Sequence, residues 1–150
     1  MKNYKGVIKY ISMVMFVLYV SFLIYLTFFD HTYGRHLVRR SINIIPFKTI
    51  IQFLTRSKDL KGILVNIAGN IAAFVPMGFL LPLTFSKLKG FMKVLPVVLG
   101  VTLSIETFQY ITASGISDID DVILNVLGGV IGYFMLRIVV RLSALIYKKS

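Results

Sequence analysis

The sequence predicts an all-α integral membrane protein, a bundle of four transmembrane helices with an interfacial helix in its first loop. Hydrophobic residues make up 57% of the 150 positions, against about 45–50% in soluble domains. Charged residues make up only 15% and flank long uncharged stretches. A helix needs about 20 apolar residues to cross the hydrocarbon core, and four runs approach that length, at 10–29, 63–85, 94–112 and 122–140. Irregular backbone cannot face lipid, so we expect all four to be helices of a single domain over 1–150.

The first span is predicted to be a retained signal-anchor helix. Three lysines, Lys2, Lys5 and Lys9, precede it, as they would in a signal peptide. The apolar stretch is too long for the core of a signal peptide, and no small-x-small cleavage site follows it.

The distribution of basic residues favours a cytoplasmic location for both termini. An even number of spans places the two termini on one side, and that side collects ten of the 17 Lys and Arg residues. Positive residues in short loops mark the cytoplasmic side, so we expect a multi-pass protein of the bacterial cytoplasmic membrane with both ends inside. The ten are Lys2, Lys5, Lys9, Lys87, Lys89, Lys93, Arg137, Arg141, Lys148 and Lys149, and the seven of the first loop are Arg35, Arg39, Arg40, Lys48, Arg56, Lys58 and Lys61.

Composition excludes several kinds of chemistry. The chain has no cysteine, so disulfides and thiolate metal sites are excluded. The net charge is +11, and the basic residues flank the apolar runs, so membrane lipids are the expected partner. The sequence provides no basic groove with interleaved aromatic side chains, so nucleic acid is not an expected partner. There is no glycine loop for phosphate and no serine nucleophile elbow. We therefore expect no cofactor.

The first loop contains an amphipathic pattern. Phe47, Ile50, Ile51 and Leu54 follow at i, i+3, i+4 and i+7, which predicts a short helix in the plane of the membrane interface. Pro46 suits the first turn of such a helix, where its missing N–H costs nothing. The alternative is a solvated basic loop.

Polar residues of three spans are predicted to meet at one depth. Burying an ionisable residue in a membrane costs free energy, so each such residue is a candidate for a functional role. Glu106 is the acid that lies well inside a span. The other candidates lie near the same end of their spans, and Arg39 and Arg40 of the first loop are expected to meet phosphate. The candidates inside or at the ends of the spans are Asn66, Asn70, Glu106, Gln109, Asp118, Asp120, Asp121 and Asn125, although Asp120 either points away from the others or belongs to the turn.

Several uses of these residues stay open. The amides can be structural, since hydrogen bonds of Asn and Gln between membrane helices stabilise the helix pair by about 0.6 kcal/mol on average. Asp118 can cap the fourth helix. Glu106 and Asp121 are candidates for acid–base catalysis, and the three aspartates at 118, 120 and 121 are candidates for a hard cation, with a spacing that is not specific. Gly128 and Gly132 have the small-xxx-small spacing that favours helix packing.

The assembled motifs resemble the VanZ-like family of small bacterial membrane proteins. The pieces are Asn43-Ile-Ile-Pro-Phe47, Asn66-Ile-Ala-Gly-Asn70 with Phe74-Val-Pro-Met-Gly-Phe-Leu-Leu-Pro82, Ser104-Ile-Glu-Thr-Phe-Gln109 and Asp118-Ile-Asp-Asp-Val-Ile-Leu-Asn-Val-Leu-Gly-Gly129. The family takes its name from a protein linked to resistance against the glycopeptide antibiotic teicoplanin. The resemblance implies that the polar cluster, with Asn43 added, is the site, but it names no reaction.

The leading hypothesis is a non-enzymatic envelope protein that binds or shields a lipid-linked ligand at the outer leaflet, such as a cell-wall precursor or a lipoglycopeptide anchor. One alternative is a membrane enzyme acting on a lipid headgroup, with Glu106 as base. Another is a helical subunit of a larger complex, in which the glycines form the contact surface.

The predicted orientation is testable because the chain has no cysteine of its own. A cysteine introduced at Ser114 should react with a membrane-impermeant thiol reagent on intact cells, and a cysteine introduced at Ser86 should not. The reverse pattern would overturn the orientation, though not the four spans.

Overall fold

A computed structural model shows four helices that are long and apolar enough to cross a membrane: Gly6–Phe28, Val65–Thr84, Phe91–Thr112 and Ile119–Ile146. This confirms the four predicted spans. The structure describes residues 2–28, 41–56, 62, 64–113 and 115–149. The predictions that rest on Arg39, Arg40 and Ser114 lie outside them.

The described residues form five helices and a small sheet. A π-helical segment precedes α3, and a short 3-10 helix links α3 to α4. The elements are α1 (Lys2–Phe28), β1 (Ser41–Asn43), α2 (Lys48–Arg56), the π-helical segment (Leu64–Ala68), α3 (Gly69–Thr84), the 3-10 helix (Ser86–Leu88), α4 (Phe91–Thr112), β2 (Ile116–Asp118) and α5 (Ile119–Lys149).

Three helices are longer than the apolar runs that predicted them. α1 begins at Lys2 rather than 10, α4 begins at Phe91 rather than 94, and α5 runs over Ile119–Lys149 rather than 122–140. Hydropathy marks only the apolar part of a helix, whereas Lys and Arg are good helix formers that continue the same helix beyond it.

Helix α5 packs against α3 with almost no space between the two backbones. A Cβ on Gly132 would lie 1.9 Å from the Val75 carbonyl oxygen, and one on Gly78 would lie 1.8 Å from the Gly129 carbonyl oxygen. Small residues permit this approach, which favours helix association in lipid. The glycines predicted to serve packing therefore do so within the chain.

Helix α1 completes the core by packing on α3. The Tyr19 hydroxyl donates to the Ala73 carbonyl oxygen at 2.8 Å, and the Thr84 hydroxyl donates to the Ser12 carbonyl oxygen at 3.1 Å. Between the helices lies a buried apolar cluster formed by Tyr19, Leu23, Phe74, Met77, Leu81, Val94, Val98 and Tyr133.

The outer faces of the bundle are apolar. Leu18, Met92 and Ile138 are 61%, 75% and 57% exposed, and many other large apolar side chains on α1, α4 and α5 are exposed as well. A soluble monomer rarely shows so much contiguous apolar surface, whereas lipid covers it in a membrane.

The first loop folds back onto the bundle through a sheet that the sequence analysis did not predict. β1 pairs in parallel with β2, and Asn43 lies opposite Asp118. Each strand has three residues, which is too short to show an alternating pattern. The sheet, α2, the start of α3, the end of α4 and the start of α5 thus share one end of the bundle, opposite the start of α1.

The helix predicted in the first loop is present as α2, although it begins after Pro46. Pro46 lies in a turn, and Phe47 has a left-handed backbone with φ of 64°. The Phe47 carbonyl accepts the first helical bond, from Ile51 N–H at 2.9 Å. Ile51 and Leu54 are 55% and 61% exposed. Location of this face in the membrane interface stays a prediction.

The α3–α5 contact predicts that Gly132→Ala destabilises the bundle. The added methyl group meets the Val75 carbonyl oxygen, and such overpacking costs about 1–3 kcal/mol. The melting temperature of the purified protein in detergent should fall.

Gly100→Ala is the matched control, because a Cβ at Gly100 meets nothing within 4 Å. It should leave the melting temperature unchanged or raise it, since a helical Gly costs about 0.5–1 kcal/mol relative to Ala. Equal melting temperatures for the two variants would contradict the packing described.

Candidate functional site

A polar cavity of about 70 Å³ lies inside the bundle, between α1, α3, α4 and α5. Its apolar walls come mainly from α1 and α3, including Leu23, Leu26, Ala73 and Phe74. Its polar wall is formed by Thr27, Asn70, Glu106, Gln109, Asp121 and Asn125. Five of these six are the residues that the sequence predicted to meet at one depth, on three different helices.

A polar groove adjoins the cavity at the same end of the molecule. This outer groove has a volume of about 480 Å³. Asn70, Gln109 and Asp121 line both spaces, so the two form one site with an inner and an outer part. The outer groove is also lined by Asn43, Lys48, Gln52, Asn66 and Asp118.

Glu106 is fixed between α4 and the loop that enters α5. Its side chain is only 6% exposed, and its Oε2 accepts the Asp118 N–H at 2.9 Å. Glu106 therefore holds β2 in place, as well as facing the cavity.

Asn70 and Asp121 join α3 to α5 across the site. The Asn70 Nδ2 donates to the Asp121 Oδ1 at 2.7 Å. Asn66, four residues earlier, belongs to the π-helical segment and lines the outer groove. π-Helical turns are rare and occur often at functional sites.

Asn125 has an oxygen with no partner. Its Nδ2 donates to the Thr102 hydroxyl at 2.8 Å. Its Oδ1 is the buried side-chain polar atom without a hydrogen bond among the described residues, and the side chain is only 4% exposed. Unpaired buried polar atoms are uncommon and need an explanation. Since Asn125 lines the cavity, a ligand or water there would supply the missing donor.

Asp118 caps the last helix, as the sequence suggested. Its Oδ1 accepts the Asp120 N–H at 2.9 Å, in the first turn of α5. The same oxygen accepts Asn43 Nδ2 at 2.9 Å, and its Oδ2 accepts the Thr49 hydroxyl. Asp118 and Asn43 thus connect both strands to α2.

Asp120 has a role that the sequence analysis missed. Its side chain is fully buried and accepts the backbone N–H groups of Phe47, Thr49 (2.8 Å) and Ile50 (3.1 Å). These groups form the N-terminus of α2, so Asp120 caps a helix 70 residues away in sequence. A carboxylate there also meets the positive end of the helix dipole. No local pattern around Asp120 signals such a distant partner.

The three aspartates do not converge on a common point. Asp120 bonds α2, while Asp121 bonds Asn70. Within the described ranges, no group of three or more His, Cys, Asp or Glu residues is placed to hold a metal ion.

The fold and the site together define a small multi-pass membrane protein with a polar, partly enclosed site at one end of a helical bundle. The model of the VanZ/LLP1 family matches residues 16–140, so the chain belongs to this family. It is 34% identical over 94 residues to Protein VanZ of Enterococcus faecium, an alignment that covers 63% of this chain and 51% of that protein. The chain spans about half the length of this curated relative. No solved structure gives a significant match.

The role of Asp120 predicts that Asp120→Ala frees α2 from the bundle. The change leaves three backbone N–H groups without their acceptor, at about 1–3 kcal/mol for each donor that stays buried. Hydrogen exchange at Phe47, Thr49 and Ile50 should become faster.

Thr55→Ala is the control on the same helix, because the Thr55 hydroxyl donates only to the Ile51 carbonyl of α2 itself. It should leave exchange at the N-terminus of α2 unchanged. Unaltered protection in Asp120→Ala would show that the cap does not hold α2.

Proposed function

We propose that this protein is a bacterial cell-envelope protein that binds a lipid-linked ligand at the outer leaflet and so lowers susceptibility to glycopeptide antibiotics of the teicoplanin kind. The observation that carries the proposal is the polar cavity enclosed by apolar helices. Glu106, Asp121 and Asn125 line it, and polar residues within spans usually face a cavity or a partner that serves function.

The composition of the site suits an amphiphile. The inner cavity is lined by both polar and apolar side chains. The outer groove adds amides and Lys48, whose ammonium suits a phosphate group. A ligand with a polar headgroup and a hydrocarbon part would match both kinds of side chain, whereas a free sugar or peptide would leave the apolar ones unmatched.

Charge supports an outward-facing site. The opposite end of the bundle carries the exposed basic residues Lys9, Lys87, Lys89, Arg137 and Arg141. Positive residues favour the cytoplasmic side, so the site would lie at the outer leaflet, which glycopeptides reach. There the protein would hold a precursor away from the antibiotic, or hold the lipid anchor of the antibiotic away from the precursor.

An enzyme acting on a lipid headgroup is the second candidate. It is favoured by one observation, that Glu106 and Asp121 line the same cavity, as a general acid and base would. Turnover of a lipid by the purified protein, without other components, would favour the enzyme. Binding without turnover favours the leading proposal.

The proposal predicts that Glu106→Gln loses function while the protein still accumulates. Gln has the same size and can still accept the Asp118 N–H, so the bundle should form. The negative charge that would face the ligand is lost. Glycopeptide susceptibility of the variant strain should equal that of a deletion strain, and Asn125→Ala should behave in the same way.

Thr107→Ala is the matched control on α4, because Thr107 is exposed and its hydroxyl donates to the Leu103 carbonyl of its own helix. It should keep full resistance. Membrane abundance and the melting temperature are measured beside susceptibility in every strain. Full resistance in Glu106→Gln at normal abundance would contradict the site.

A further inference from the structure

An apolar groove of about 490 Å³ lies on the side of the bundle, between α1 and α4. Its walls include Phe28 of α1 and Pro96, Val97, Gly100, Val101 and Phe108 of α4. The Ser104 hydroxyl, also at this groove, donates to the Gly100 carbonyl at 2.7 Å, so it presents little polarity. The groove therefore offers almost only hydrocarbon contacts.

This groove adjoins the polar cavity. Ile105 lines both spaces. On α1, Thr27 lines the cavity, and the next residue, Phe28, lines the groove. The rings of Phe28 and Phe108 meet edge to face, with centroids 5.5 Å apart, at the end of the groove nearest the site. The groove and the cavity thus lie side by side near this end of α1 and α4.

The length of the groove matches a lipid chain in one leaflet. Pro96 and Phe108 are twelve residues apart on α4, which is about 18 Å at 1.5 Å per residue. One leaflet of a bilayer has about half of the roughly 30 Å hydrocarbon core. A chain in the groove would run from the level of Glu106 towards the middle of the membrane.

The cavity selects for a headgroup that donates hydrogen bonds. Glu106 and Asp121 bring carboxylates to its wall, and the Asn125 Oδ1 is a buried acceptor without a donor. A primary ammonium has three N–H donors, so it can donate to the Asn125 Oδ1 and to carboxylate oxygens of the same cavity. A trimethylammonium group has the same charge but no N–H.

We propose that the groove between α1 and α4 is the lateral entrance to the site and holds the hydrocarbon chain of an amphiphile whose ammonium headgroup binds in the polar cavity. This inference rests on the proposed function and adds the class of the ligand and its route. The ammonium can belong to a membrane lipid or to a lipidated antibiotic, because the chemistry is the same.

The test uses phosphatidylethanolamine with a diazirine in one acyl chain, and phosphatidylcholine with the same chain, each reconstituted with the purified full chain in phosphatidylglycerol nanodiscs. After illumination, crosslinked peptides are identified by mass spectrometry. The ethanolamine probe should label the groove face of α4 about tenfold more than the choline probe, since a hydrogen bond to a charged group contributes about 1.5–3 kcal/mol.

Gly100→Phe is the blocking variant. A side chain at Gly100 begins in open space and fills the groove without moving the backbone, so labelling by the ethanolamine probe should fall about tenfold. Leu99→Phe adds an aromatic ring to the neighbouring exposed position, which is outside the groove, and should leave labelling unchanged. Melting temperatures verify folding.

Competition on the unaltered protein tests the same point without a variant. Unlabelled phosphatidylethanolamine, or an aminated lipidated glycopeptide, should displace the ethanolamine probe, and unlabelled phosphatidylcholine should not. Displacement by one and not the other identifies which source of ammonium the site prefers. Equal labelling by both probes, with no effect of Gly100→Phe, would overturn the inference and show ordinary lipid contact.

The two proposals fail in different ways. Loss of selective labelling in Glu106→Gln but not in Gly100→Phe would reject the groove and keep the cavity. Labelling that is unchanged in both variants would reject both.

Discussion

The buried carboxylate of Asp120 is the constraint on which the site end of the protein depends. It accepts three backbone N–H groups of α2, which otherwise need water. Asp118 and Glu106 extend this arrangement, because Asp118 binds Asn43 and Thr49 and Glu106 accepts the Asp118 N–H. Side chains and backbone from both strands, α2, α4 and α5 are thereby held together. Without the Asp120 carboxylate, the N-terminus of α2 would lose its acceptors, and the first loop would be held only by the strand pairing and by Asp118.

This network explains how acids can be buried at a membrane surface. Glu106, Asp118, Asp120 and Asp121 each receive at least one backbone or amide hydrogen bond, which offsets part of the free-energy cost of burying a polar group. Asp120 hydrogen-bonds α2 and so holds the first loop in position. Glu106 and Asp121 line the cavity, where they would contact a ligand. Asn125, whose buried Oδ1 has no hydrogen bond, also lines this cavity.

Most of the fold and part of the site were predictable from the sequence. Long apolar runs fix the spans because the bilayer demands them, and buried polar residues within spans are few enough to single out Glu106, Gln109 and Asn125. The sheet and the cap on α2 were not predictable, since they join residues about 70 positions apart through backbone groups that any residue carries. The same reason hid the role of Asp120, because its position at the start of α5 indicated a turn or a ligand site and gave no sign of α2. The apolar groove was also hidden, because its open space at Gly100 depends on where α1 packs.

The central claim is that the polar cavity binds a lipid-linked ligand. Native mass spectrometry of the protein, purified gently from bacterial membranes, tests it most directly. The account predicts that the unaltered protein and Thr107→Ala retain a lipid adduct of one headgroup class at about one molecule per chain, and that Glu106→Gln loses it. The same mixed set of lipids on all three proteins would contradict the account.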